Sequence, residues 1–63
     1  MTEEDKIVRI RCRAFSNEGV RLHRLRVTAD GTVTVWDAVA GHYSHCHRLS
    51  PSAIRRARRA ARA

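Results

Sequence analysis

Leu25-Arg26-Val27-Thr28-Ala29-Asp30-Gly31-Thr32-Val33-Thr34-Val35 is the stretch that decides the fold. On both sides of Ala29-Asp30-Gly31 apolar and polar residues alternate, the period of two that a half-buried strand requires. The three intervening residues suit a type I turn followed by glycine in the left-handed region, and such a loop sets the register of its strands. Thr28 then stands opposite Thr32, with Val27 against Val33 and Leu25 against Val35 on a core face. Arg26 meets Thr34 and Arg24 meets Trp36 on the other face. A two-residue Asp-Gly turn would set Val27 against Thr34 and mix the faces, so the longer loop is preferred.

Toward the N-terminus, the run from Lys6 to Phe15 alternates in the same way. Val8, Ile10, Cys12 and Ala14 share one side, and Arg9, Arg11 and Arg13 share the other. Ser16-Asn17-Glu18-Gly19 is a turn signal that makes a hairpin with the following run. In that run the apolar positions are Val20 and Leu22, then Leu25 and Val27, so the period slips near His23-Arg24. A β-bulge there would return both halves to one face. Strands are expected at residues 6–15, 20–28 and 32–37.

Toward the C-terminus, Asp37-Ala38-Val39-Ala40-Gly41 reads as a further turn, and residues 42–48 as a possible fourth strand. Pairing Asp37 with His42 would place Tyr43 beside Trp36 and His45 beside Thr34 outside, with Cys46 opposite Val33 in the core. A shift of one residue reverses these faces. Ser50-Pro51 opens a helix expected over 51–62, with serine as N-cap and proline at the first helical position. Ile54, Ala57 and Ala61 form its apolar stripe, widened by Ala53 and Ala60, and arginines fill the remainder. The expected fold is α+β: a small curved antiparallel sheet of three to four strands, open or closed as an SH3-like barrel, with one C-terminal helix. A single domain over 6–63 follows an acidic lead, residues 1–5, that is expected to fray.

A chain of 63 residues has a thin core, which argues against the enclosed pocket an enzyme needs. Thirteen lysines and arginines against six acids give a formal net charge of +7, a field that attracts phosphate. Twelve of the thirteen are arginine, whose planar fork grips a phosphate or a guanine edge in bidentate fashion. No apolar run is long enough to span a membrane and no signal peptide is recognisable, so a cytoplasmic protein with free thiols is expected, nucleoid-associated if it binds DNA.

Three constellations are candidates for chemistry. The outer face of the sheet would gather Arg9, Arg11, Arg13, Arg24 and Arg26 around Trp36 and Tyr43, a basic surface interleaved with aromatics. Alternatively the helix covers this face and Trp36 anchors the core. The second constellation is Arg48 with the helical Arg55, Arg56 and Arg59, suited to a phosphate backbone. The helix carries no Asn, Gln or Glu for base readout, and a merely solvated face is the alternative. The third is His42-x-x-His45-Cys46-His47, with Cys12 and His23 elsewhere. In a strand His45 and His47 point away from Cys46, so no metal is expected, and Cys12 and Cys46 are read as core residues. Cys46 with a neighbouring histidine and Asp37 lacks the geometry of a catalytic set, so no cofactor or catalysis is expected.

In size, charge, a tryptophan on a short sheet and a terminal helix, the chain resembles the small chromatin proteins of archaea. That resemblance implies an SH3-like barrel that binds duplex DNA without sequence preference, although their composition is lysine-rich where this one is arginine-rich. The order of three strands and a helix is also similar to the DNA-binding domains of some integrases and plant transcription factors, whose sheet enters the major groove. The expected function is nucleic-acid binding, DNA ahead of RNA, through phosphate contacts of low sequence specificity. The alternative is an adaptor or inhibitor that docks on an acidic protein surface. Homodimerisation would cover apolar surface that a thin sheet leaves open.

Overall fold

The computed structural model describes residues 5–62, and the elements follow the order of the sequence. They are β1 (Lys6–Cys12), β2 (Arg21–Val27), β3 (Val33–Asp37), β4 (His42–Ser44) and α1 (Pro51–Arg62). Each strand pairs antiparallel with the next, so the sheet is a four-stranded meander. Of the acidic lead only Asp5 is described; the rest of the expected frayed segment lies outside the described residues.

The β2–β3 loop has the expected register. Val27 pairs with Val33, Arg26 with Thr34 and Leu25 with Val35. Thr28 donates its N–H to the Thr32 carbonyl at 2.9 Å, and Gly31 donates to the Thr28 carbonyl at 2.9 Å. Gly31 has φ of 90°, the left-handed conformation a side chain would resist. Asp30 ties the loop further, accepting the Thr32 N–H at 3.0 Å and the Thr28 hydroxyl. The β3–β4 turn works similarly. Asp37 Oδ1 accepts the N–H groups of Val39 and Ala40 at 3.0 and 3.1 Å, and Gly41 adopts φ of 76°. Asp37 pairs with His42, which sets Tyr43 opposite Trp36 as expected.

Four expectations are corrected. The slip at His23-Arg24 does not produce a bulge: β1 and β2 pair without interruption from Lys6 opposite Val27 to Cys12 opposite Arg21. His23 therefore takes the inner-face position opposite Ile10, and Leu22 turns outward at 61% exposure. The histidine is tolerated there because Glu18 accepts its Nε2 at 2.6 Å and Phe15 packs edge-on against its ring. Second, β1 stops at Cys12. Arg13 donates to the Glu18 carbonyl, and the Glu18 carboxylate accepts the Phe15 N–H, so the chain leaves the ladder. Third, β4 stops at Ser44, whose hydroxyl accepts the Cys46 N–H at 3.0 Å. The Arg48 backbone N–H then donates to the Ala14 carbonyl at 2.8 Å, which draws the chain back to the segment after β1 and leaves Cys46 exposed. Finally, the sheet stays open and does not close into a barrel. Three-residue β4 is too short to reach β1, and α1 occupies that side.

Ser50 caps α1 as the sequence indicates, accepting the Ala53 N–H at 3.1 Å on its hydroxyl. Ala53 and Ala57 are buried, and Ile54 and Ala61 pack against the core beside them. Small residues on this stripe let the helix lie close on Leu25, Val27, Val33 and Val35, which form the centre of the core. Two arginines flank the stripe and pin the helix. Arg56 donates to the Arg11 carbonyl at 3.0 Å, and Arg58 Nε donates to the Gly31 carbonyl at 2.8 Å.

Candidate nucleic-acid interface

Because α1 packs on the inner face, the outer face of the sheet is left without a helix over it. Strand alternation and the pairing register place Arg9, Arg11, Leu22, Arg24, Arg26 and Ile7 there on β1 and β2. Trp36 and Tyr43 continue the same face on β3 and β4, each half-buried. Their rings meet edge to face with centroids 5.1 Å apart, a favoured aromatic geometry.

Each aromatic carries a guanidinium. Arg24 Cζ lies 5.9 Å from the Trp36 ring centroid, and Arg26 Cζ lies 4.9 Å from that of Tyr43. Both distances fall within the range of cation–π attraction, which holds the arginines over the sheet. Thr34, between the two aromatic–arginine pairs, is buried. Arg26 Nε is buried without a hydrogen-bond acceptor, and the nearest carboxylate, that of Asp5, stands 3.8 Å away. Arg9 faces Arg24 directly across the β1–β2 ladder, a like-charge pair that costs stability.

The remaining candidate residues divide by what holds them. Arg48 lies beyond the sheet, beside an open depression that Arg9, Arg24 and Trp36 also line. Arg21 lines the same depression. It was not singled out from the sequence, where nothing shows that the strand end and the Arg48 segment meet in space. Arg13 is committed to the β1–β2 turn and Arg56 to the helix–sheet contact. Arg55, Arg59 and Arg62 are exposed on the far side of α1.

The histidine cluster disperses. His42 donates from Nδ1 to the Tyr43 carbonyl, and His45 is exposed. His47 donates from Nε2 to the Val33 carbonyl at 3.1 Å while its Nδ1 accepts the Leu49 N–H, so the ring serves as a bracket between the crossover and β3. Among the described residues no three His, Cys, Asp or Glu side chains converge to hold a metal ion. No described helix is long and apolar enough to cross a membrane.

Three groups have perturbed acidities. Burial pushes the Cys12 thiol up, against the pull of the nearby Arg56 charge. Glu18 is raised by loss of solvent, but the His23 hydrogen bond and charge, with the backbone donors of Phe15 and Ala14, outweigh this and hold it low. Asp30 is held down to about 2, chiefly by the Thr28 hydroxyl and then by the Thr32 N–H. All three belong to structural contacts, two turns and the core, and none lies on the arginine–aromatic face.

No family model, curated protein or solved structure matches this chain. What the outer face can do chemically follows from its own residues: it presents four arginines, two of them set against aromatic rings, whose guanidinium forks suit phosphate oxygens and also a guanine edge.

Proposed function

We propose that the protein is a non-enzymatic nucleic-acid-binding module that grips the phosphate backbone of duplex DNA through the outer face of its sheet, with low sequence specificity. The observation that carries this reading is the pair of stacked cations, Arg24 over Trp36 and Arg26 over Tyr43, beside Arg9 and Arg11 on a face the helix leaves open. Arginines neutralise phosphates and release the counterions condensed on DNA, which supplies most of the affinity in non-specific binding. The guanidinium groups occupy positions over the ring faces, so phosphate contact is favoured over base stacking. With Thr34 buried and no Asn or Gln on this face, arginine at a guanine edge is the one bidentate base contact left to it, which keeps the proposed sequence specificity low.

A second reading has one observation in its favour. Ile7 and Leu22 are 53% and 61% exposed on the same face, and apolar side chains interleaved with arginine suit the surface of an acidic protein partner. Fluorescence anisotropy of a labelled duplex, its single strand and an RNA hairpin, titrated over a range of salt, separates the two. Four phosphate contacts give a log–log salt slope of about −4, and Arg24→Gln with Arg26→Gln is expected to flatten it by about 2 units. Absence of binding to every nucleic acid at low salt overturns the proposal and leaves the protein-partner reading.

A further inference from the structure

We infer that one monomer holds two nucleic-acid duplexes at once, one on the sheet and one on the helix, and so bridges them. The inference rests on the duplex-binding reading above and extends it to a second surface. Its basis is the placement of the arginines of α1. Around a helix of about 100° per residue, Arg55 and Arg59 lie about 160° to either side of the buried Ala57, and Arg62 about 140° from it. All three point away from the sheet, and all are exposed. Arg56 and Arg58, by contrast, are spent on the Arg11 and Gly31 carbonyls. Among the described residues the ion pairs are His23 with Glu18 and Arg26 with Asp5, so no described carboxylate pairs with the outward arginines of the helix.

The two basic surfaces therefore face opposite directions, with the core between them. A single duplex cannot serve both. DNA bends over about 50 nm, whereas the molecule measures 40 × 24 × 15 Å, so wrapping a duplex around it is prohibitive. Two separate duplexes can be accommodated, one against each face, and salt in the surrounding solvent weakens their mutual repulsion while each face keeps its own short-range contacts.

The experiment is a capture assay. A duplex fixed on beads is loaded with the protein, a second labelled duplex is added, and its retention is measured beside single-duplex anisotropy and sedimentation of the free protein. Wild type is expected to retain the second duplex. Arg55→Gln, Arg59→Gln and Arg62→Gln together keep a good helix former at each position and should preserve the far-UV circular dichroism. This triple variant is expected to bind one duplex nearly as before and to lose capture by about tenfold or more, since about three phosphate contacts disappear. Single-duplex binding without capture by wild type overturns bridging but leaves the proposed function standing. Capture that survives in the folded triple variant also overturns it, with a dimer in sedimentation as its source. Failure to bind any duplex removes the proposed function itself.

Discussion

His23 shows how a single contact overrides hydrophobic patterning. Leu22 would be the better core residue by transfer free energy, yet an unbroken ladder places it outside and turns His23 inward. The Glu18 carboxylate makes that arrangement tolerable by satisfying the ring nitrogen, with the His23 and Glu18 side chains only 12% and 14% exposed. Glu18 lies five residues away across a loop, so local periodicity could not reveal the partnership. Arg9 and Arg24 are the complementary case, a cross-strand pair of like charges retained on the open face. Replacing Arg9 with glutamate converts repulsion into attraction and is expected to stabilise the fold by about 0.5–1 kcal/mol. The same variant should bind duplex DNA more weakly and with a shallower salt slope. Thermal melts and anisotropy on one preparation check both halves; a lower melting temperature would mean that the two arginines do not repel.

The β2–β3 hairpin was the most legible element, because loop length, Gly31 and alternation on both strands all specify one register. Its acid sensitivity follows from the same contacts. The Asp30 carboxyl ordinarily titrates near 3.8 and is held to about 2 in the folded hairpin, so its contribution to stability is complete above the ordinary value. That contribution is lost as pH falls toward 2. Denaturation by urea across this range should therefore show wild type losing stability more steeply than Asp30→Asn, whose amide oxygen can still accept from Thr28 and Thr32. Coincident pH profiles would show that Asp30 is unperturbed. The helix was equally legible from Ser50, Pro51 and the alanine stripe, whereas β4 was not. Its end is set by Ser44 and by the Arg48 bond to Ala14, a partner more than thirty residues earlier in the chain.

For the whole molecule, one thin core should govern both cooperativity and thiol access. Cys12 is 4% exposed in that core, while Cys46 is exposed on the crossover. A thiol reagent is expected to label Cys46 at once and Cys12 only with global unfolding, at the urea concentration where the far-UV signal is lost. Earlier labelling of Cys12 would show that β1 and the helix part before the sheet unfolds. Composition, alternation and turn chemistry determined the meander, its best register, the helix limits and the existence of a basic strand face, because each rests on neighbours a few residues apart. The sequence left two choices open for that face, covered by the helix or bare. Only the tertiary structure decided between them. The alanine stripe lies on Leu25 and Val35, and pinning by Arg56 and Arg58 sets the helix there, so the tryptophan face stays open and the remaining helical arginines turn to the opposite side. Those contacts join residues about twenty to forty-five positions apart, and no local pattern encodes which of two faces a helix will choose.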